Sequence, residues 1–217
     1  NTTCWNIQQT NSYTGTTWAG FSGGDIIPSN SGDEIVGLNM SDKKIYILHH
    51  SGGVIQTAAS SSGPNTNPQW TGVATGDLNA ANPGKEFVVS DNLTGQLYLF
   101  GYNGTNIAHL GTSNNIGTGV VGVAAGNFDG TGDEIAVVNN STGYIEIYSV
   151  SGGVFNLVHQ YTATAGTYNL WKGITAGDFD GDGIDEIVAH RNYDGQFLVY
   201  KVKNGSIVNT YGEYFRT

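Results

Sequence analysis

The densest group of side chains that could do chemistry lies between Asp178 and Glu186, in the segment DFDGDGIDE. Its carboxylates, from Asp178, Asp180, Asp182 and Glu186, fall at alternate or nearly alternate positions around two glycines. Calcium in proteins takes about six to eight oxygen ligands, and glycine allows a loop to turn tightly around the ion. We therefore predict a Ca²⁺ site here, with the backbone carbonyl of Ile184 as a further ligand.

The opening D-x-D-x-D-G also begins an EF-hand loop, which needs a glutamate at its twelfth position and a helix on each side. The twelfth position here is Ala189. The residues on both sides alternate between apolar and polar, which is typical of strands. The EF-hand interpretation is therefore excluded.

Related segments recur upstream with a regular period. The first ligand position is occupied by Asp25, Asp77, Asn127 and Asp178, at spacings of 52, 50 and 51 residues. The last is occupied by Glu34, Glu86, Glu134 and Glu186. Seven residues before the first ligand stand Trp18, Trp70, Val120 and Trp171. A fixed period of about 50 residues indicates a solenoid, a propeller or an array.

These registered residues resemble the FG-GAP repeat of integrin-α-type β-propellers, also called the VCBS repeat. The resemblance runs from Trp18 to about Tyr214 and is most specific in the fourth repeat. It implies an all-β fold, a β-propeller of four-stranded antiparallel blades with a calcium loop between the first and second strands of each blade. Members of the family commonly have seven blades, whereas this chain carries four repeats.

We expect a single propeller domain over residues 1–217, with repeats over about 18–69, 70–119, 120–170 and 171–217. The strands expected in the second repeat are Thr71–Gly76, Phe87–Ser90, Gln96–Tyr102 and Asn106–Leu110. Apolar and polar residues alternate between Gly- and Asn-rich turns, and no segment shows a helical period.

Residues 1–17 predict one strand more than four blades need. The segment Trp5-Asn6-Ile7 precedes Trp18 much as Phe155-Asn156-Leu157 precedes Trp171. The chain is therefore expected to begin with an extra outer strand. This strand either latches the ring or pairs with an edge on a neighbouring subunit.

The other three loops carry fewer charges than the fourth. In the third loop the candidate ligands are Asn127, Asp129, Thr131 and Glu134. In the first and second loops the weaker candidates are Asp25, Asn30, Glu34, Asp77, Asn79 and Glu86. Side-chain hydrogen bonds are the favoured interpretation for the first two loops, and the third is open between a calcium site and a plain acidic turn.

Seven N-x-S/T sequons are present, and the candidate glycosylation sites are Asn1, Asn39, Asn92, Asn103, Asn140 and Asn204. We expect Asn39, Asn92 and Asn140 to occupy one place, the hairpin after the second strand of successive repeats. Two interpretations stay open there, a row of glycans or ordinary hairpin chemistry. Cys4 is the only cysteine, which leaves a buried thiol or a link between chains.

Composition excludes several classes of function. A net charge of −10 argues against nucleic acid and anionic membranes as partners, and no apolar run is long enough for a membrane-spanning helix. The chain has no nucleophile elbow, zinc-protease motif or phosphate-binding loop, and its carboxylates are committed to the loops. We predict that it is not an enzyme and that the repeated Trp18, Trp70 and Trp171 pack between blades.

We expect an extracellular, secreted or cell-surface, calcium-stabilised propeller that acts in adhesion or in carbohydrate or protein recognition. Its partner would be a glycan or protein on a cell surface or matrix. The alternative is a structural subunit of an extracellular, possibly glycosylated filament, in which copies assemble through the N-terminal strand. A second alternative, for a chain that is a fragment, is an accessory module of a polysaccharide-degrading enzyme.

Overall fold

The chain forms sixteen β-strands in a computed structural model that describes residues 16–162, 171–191 and 194–214, with the backbone alone for 211–214. The described residues contain no helix, and hence none that could cross a membrane. Cys4, Asn1 and almost all of the predicted N-terminal strand lie outside the described residues.

The strands form four separate four-stranded antiparallel sheets, each in chain order. Sheet 1 consists of β1 (Trp18–Gly24), β2 (Glu34–Asn39), β3 (Lys44–Ser51) and β4 (Val54–Ser61). Sheet 2 consists of β5 (Trp70–Gly76), β6 (Glu86–Asp91), β7 (Gln96–Tyr102) and β8 (Ile107–Thr112). Sheet 3 consists of β9 (Val120–Gly126), β10 (Glu134–Asn139), β11 (Tyr144–Ser151) and β12 (Val154–Thr162). Sheet 4 consists of β13 (Trp171–Gly177), β14 (Glu186–Arg191), β15 (Gln196–Lys203) and β16 (Ser206–Tyr214).

The predicted all-β fold with four antiparallel sheets is confirmed, and the repeat extends to details of strand register. In each sheet the register shifts near the start of the first strand, as between Trp70 and Gly72. It shifts again within the third strand, as between Leu99 and Phe100. The same irregularities in every sheet show that the four repeats are structurally equivalent.

The first strands of the four sheets lie innermost. Contacts join β1 with β5, β5 with β9, and β9 with β13. All four strands line one cavity of about 290 Å³, to which they contribute Phe21, Val73, Val123 and Ile174. The acidic loops, which connect the first and second strands, therefore lie at the same end of every sheet.

Each sheet has two faces with distinct partners. We call the forward face the one that meets the next sheet along the chain; in sheet 1 it carries Ile26, Val36 and Ile45. We call the backward face the one that meets the preceding sheet; in sheet 2 it carries Trp70 and Phe87. These five side chains are almost fully buried, because the forward face of sheet 1 packs directly on the backward face of sheet 2.

The same contact recurs twice more. The second junction packs Leu78 and Val88 of sheet 2 on Ile135 of sheet 3. The third junction packs Phe128 of sheet 3 on Trp171 of sheet 4. Three apolar cores therefore lie between successive sheets, and a sheet buries both faces only when it has a neighbour on each side.

Tryptophan burial depends on this arrangement. Trp70 and Trp171 are 3% and 0% exposed within the first and third junctions. Trp18 is only half-buried, since among the described residues it packs on Phe21 and Tyr46 of its own sheet. The predicted packing of tryptophan between sheets is seen for Trp70 and Trp171 and not for Trp18.

We predict that Trp171→Ala lowers the free energy of unfolding by about 3–5 kcal/mol, the usual cost of emptying a buried tryptophan site. Trp18→Ala is the matched control and should cost less than half as much, because that side chain is already partly exposed to water. Urea unfolding followed by circular dichroism measures both. Equal losses would contradict the assignment of Trp171 to a core between sheets and of Trp18 to a partly exposed position.

Candidate metal centre

The fourth loop connects β13 to β14 and gathers its acids as the sequence predicts. Oxygen atoms of Asp178, Asp180 and Glu186 all lie within 4.8 Å of one another. Glu186 is the first residue of β14 and is 2% exposed. Its Oε2 accepts a hydrogen bond of 2.9 Å from the backbone N–H of Phe179, which ties the start of the loop to its end.

Asp178 shapes the loop from inside. Its Oδ1 accepts a hydrogen bond from the N–H of Gly181 at 2.7 Å, and its Oδ2 accepts one from Gly183 at 2.9 Å. Both glycines have a left-handed backbone, with φ of +80° and +87°. A residue with a side chain would be strained at either position, so the two glycines allow the backbone to wrap around Asp178.

A cation that sequence reasoning missed lies among these acids. The Lys201 ammonium, on β15, is 2.9 Å from Asp180 Oδ2, 2.5 Å from Asp182 Oδ2 and 2.8 Å from Glu186 Oε1. Hydrogen bonds to these carboxylates, led by Asp182, raise the pKa of Lys201 above its usual range. In return the Lys201 hydrogen bond lowers the pKa of Asp182. Lys201 therefore stays charged and compensates part of the loop's negative charge.

The place of Lys201 in the repeat is the one sequence signal that points to the loop. Counting from the first residue of each third strand, the equivalents of Lys201 are His49, Gly101 and Ser149. A Cβ added at Gly101 would lie 3.6 Å from the Glu86 side chain, so this strand position faces the loop in sheet 2 as well. His49 likewise shares a cavity of about 450 Å³ with Glu34 of the first loop.

The donor set of the fourth loop fits a hard divalent cation. All its side-chain donors are carboxylate oxygens, which are the ligands that Ca²⁺ and Mg²⁺ prefer. Glu186 Oε1 is buried and is held by the Lys201 ammonium at 2.8 Å, so it becomes available for an ion once the lysine withdraws. The ammonium of Lys201 lies where a divalent ion would bind, and the long side chain would have to withdraw first. The N–H of Ile184 donates a hydrogen bond to Asp182 Oδ1 at 3.0 Å. Its carbonyl oxygen stays a predicted ligand.

The third loop has the same framework with less charge. Asn127 Oδ1 accepts a hydrogen bond from the N–H of Gly130 at 2.7 Å, as Asp178 does from Gly181. Thr131 donates its hydroxyl proton to Asp129 Oδ1 at 2.6 Å and also lies 3.3 Å from Glu134 Oε1. The predicted ligands are therefore brought together here, and hydrogen bonds already engage them.

Burial perturbs Glu134 strongly. Its Oε2 accepts a hydrogen bond from the N–H of Phe128 at 2.9 Å, but the side chain is only 3% exposed. Loss of water around the carboxylate raises the pKa of Glu134 to about 7, and the nearby charge of Asp129 adds to this rise. His159 Nε2 lies 3.9 Å from Asp129 Oδ2 and is the nearest basic group to this loop among the described residues.

Hydrogen bonds close the first loop. Glu34 accepts one from the N–H of Ile27 at 2.8 Å and one from the amide of Asn30 at 3.0 Å. Its carboxylate is thus satisfied by the protein itself. Asp25 is exposed and lies apart from this group, next to the second loop.

The second loop is closed in a related way. Glu86 accepts a hydrogen bond from the N–H of Asn79 at 2.7 Å and another from the side chain of Asn82. Burial raises the pKa of Glu86 despite these bonds. Asp77 is exposed at the edge of the loop, and its charge adds to the rise in the pKa of Glu86.

One expected alignment of sequons is wrong by one residue. Asn39 is the last residue of β2 and is equivalent to Asn139, the last residue of β10. Both are buried, and each accepts a hydrogen bond of 2.8 Å from the N–H two residues later, at Ser41 and Ser141. An alignment on the sequon in place of the strand groups Asn39 with Asn92 and Asn140, which begin the following hairpin.

The remaining sequons differ in access. Asn140 Nδ2 donates to the carbonyl oxygen of Trp171 at 3.0 Å, and Asn92 accepts a hydrogen bond from the N–H of Gly119, so both amides link neighbouring sheets. Asn103 and Asn204 are exposed, in the turns between third and fourth strands. Exposure therefore favours Asn103 and Asn204 as glycan acceptors.

No protein-family model matches the chain, and no curated protein matches it significantly. The resemblance to FG-GAP repeats therefore rests on the registered loop residues alone.

We predict that unfolding free energy without divalent ions falls between pH 5 and pH 8. In the folded chain Glu134 keeps its proton up to about pH 7. In the unfolded chain its carboxyl group has the ordinary pKa of 4.5 and loses the proton near that pH. The folded state therefore binds more protons in this window, and raising the pH costs stability, by at most about 3 kcal/mol from this residue.

Glu134→Gln is the test, since the amide keeps the acceptor for the Phe128 N–H and stays neutral. Urea unfolding in chelator at several pH values should give a shallower fall for the variant than for the original chain. Parallel curves would contradict a neutral, buried Glu134.

Proposed function

We propose that this chain is a non-enzymatic, extracellular β-propeller of the FG-GAP type, stabilised by a divalent cation, that recognises a glycan or protein. The observation that supports it most is the convergence of Asp178, Asp180 and Glu186 within 4.8 Å at a loop position that all four sheets repeat. A buried glutamate closes each of the four loops, so the repeats share one loop design.

Calcium is the proposed ion, and Asp178, Asp180, Asp182 and Glu186 would hold it. When bound, the ion supplies positive charge to a loop that otherwise relies on Lys201. The chain's own residues do the rest, because the Asp178 carboxylate already fixes the loop backbone and Glu186 already joins the loop to β14. Extracellular sites of this kind are weak, on the order of 10⁻⁴–10⁻³ M, which suits stabilisation in a calcium-rich medium.

The proposed recognition surface is a depression between the first two sheets. It has a volume of about 450 Å³ and lies beside the first and second acidic loops. Its lining combines apolar side chains with amides, and includes Ile27, Pro28, Pro83, Tyr102, Asn82 and Asn103. An apolar platform with amide donors and acceptors at its rim suits the faces and hydroxyls of a sugar.

A structural subunit of an extracellular filament is the second candidate function. It is favoured by a specific observation, the exposed apolar faces at the two ends of the row of sheets, where Phe21 and Phe179 are 55% and 58% exposed. In this candidate the partner is another copy of the chain. Assembly through the N-terminal strand stays part of this candidate.

We predict that Asp180→Asn weakens calcium binding at least tenfold, measured by isothermal titration calorimetry on chelator-treated protein. Asp25→Asn, which alters the equivalent end of the first loop, is the matched control and should leave the affinity unchanged. Lys201→Met should tighten binding about tenfold or more, because the ion no longer has to displace an ammonium. No calcium-dependent heat in the original chain, or weaker binding in Lys201→Met, would contradict the proposed site.

We predict that Tyr102→Ala removes glycan binding, since the ring provides much of the apolar wall of the depression. Tyr144→Ala, which changes a tyrosine on sheet 3 away from the depression, should bind as the original chain does. A glycan array with calcium present, followed by titration of the best hit, measures this. An array without hits would count against carbohydrate and leave a protein ligand to be sought.

A further inference from the structure

The forward face of sheet 4 is exposed where its equivalents are buried. Phe179 directly follows the first ligand of its loop, as Ile26, Leu78 and Phe128 do in the other repeats. Those three side chains are 1–3% exposed, whereas Phe179 is 58% exposed. Phe197, on the same face, is 40% exposed, while its equivalents in the third strands of the other sheets are fully buried.

The backward face of sheet 1 shows the complementary exposure. Phe21 is 55% exposed, whereas its equivalents Val73 and Val123 are 8% and 7% exposed. Ile35 is 39% exposed, and its equivalent Phe87 is fully buried. The chain therefore presents one forward face and one backward face, the two halves of a contact that it makes three times internally.

Polar groups at this contact show the same pattern as the apolar side chains, with partners at internal junctions and, within the described residues, none at the two exposed faces. In the second and third junctions an aspartate of the later sheet accepts a hydrogen bond from the backbone N–H of the first ligand residue of the earlier sheet; we call this aspartate the capping aspartate. Asp133 Oδ2 accepts a hydrogen bond from the N–H of Asp77, and Asp185 Oδ2 accepts one from the N–H of Asn127, both at 2.8 Å. The equivalent pair is Asp33 with the N–H of Asp178, and neither has a hydrogen-bond partner at these atoms among the described residues.

Glycine before the first ligand makes room for this capping aspartate. A Cβ at Gly126 would lie 2.5 Å from Asp185 Oδ2, and one at Gly76 would lie 3.0 Å from Asp133 Oδ2. Gly177 occupies the same position in sheet 4, but the three atoms nearest to its added Cβ all belong to the ring of Phe179. Sheet 4 thus keeps the glycine, but the ring of Phe179 lies beside it in place of the aspartate, which the described part of its own chain does not supply.

We propose that a second copy of this chain covers the forward face of sheet 4 with the backward face of its own sheet 1. Phe21 and Ile35 of the next copy would cover Phe179, and its Asp33 would cap the N–H of Asp178. The strand β1 makes no contact with β13 comparable to those between successive first strands, so within the described residues this chain does not cover the two faces itself. Because the two faces differ, the contact is head to tail and can repeat.

The test uses two variants that each disable one face, with a matched control. Phe179→Asn disables the forward face of sheet 4, and Phe21→Asn the backward face of sheet 1, since a buried amide without partners is costly. Leu93→Asn changes a side chain of similar exposure (49%) that lies on a hairpin of sheet 2, away from both faces. Mass is measured by light scattering after gel filtration, in chelator, so that metal binding does not enter the result.

The original chain and Leu93→Asn should gain mass with concentration, and each single-face variant should stay monomeric. An equimolar mixture of the two variants should form dimers and nothing larger, because one intact pair of faces remains. A monomeric original chain at every concentration, variants that still associate, or a mixture that stays monomeric would each overturn the proposal. Circular dichroism checks folding, and Ile35→Asn and Phe197→Asn on the same two faces replace any variant that fails to fold.

Discussion

The structure depends on one repeated contact, the packing of the forward face of one sheet on the backward face of the next. A four-stranded sheet with apolar side chains on both faces cannot bury them alone. In sheets 2 and 3 every residue of the second strand is buried, since both faces are covered. In sheets 1 and 4 the second strand keeps exposed or half-buried positions, because one face of each has no sheet against it among the described residues.

The acidic loops belong to this contact as much as to any metal site. In each repeat a buried glutamate at the start of the second strand accepts hydrogen bonds from the loop backbone. This fixes the residue after the first ligand, and Ile26, Leu78 and Phe128 thereby enter the core shared with the next sheet. Closing the loop and packing the sheets are therefore one structural event. The surroundings of this glutamate differ between the repeats. In the first two loops an asparagine amide donates to it, and in the third loop burial raises its pKa. In the fourth loop the ammonium of Lys201 lies against it.

Much of the fold could be predicted from the sequence, because short strands between glycine and asparagine turns leave a local signal. The strands of sheet 2, for example, lie within one or two residues of the predicted bounds. The grouping of Asp178, Asp180 and Glu186 was also local, since all three lie within nine residues.

What the sequence could not predict depends on contacts between distant segments. Lys201 lies 19 residues beyond Asp182, so the spacing within the loop motif does not identify it, and only its place in the repeat points to the loop. The exposure of Phe179 could not be predicted from the sequence either, because the equivalent residues of the other three repeats are buried. The three-residue sequon at Asn39 gives no information on strand register, so it misplaces this residue by one position.

Hydroxyl-radical footprinting with mass spectrometry tests the central claim most directly, because it reports the solvent access of each phenylalanine in the folded chain. In dilute protein we expect ready oxidation of Phe21 and Phe179 and strong protection of Phe87 and Phe128. As concentration rises, the exposed pair should become protected together. Protection of Phe179 equal to that of Phe128 in the most dilute sample would contradict the account, since the chain would then cover that face by itself.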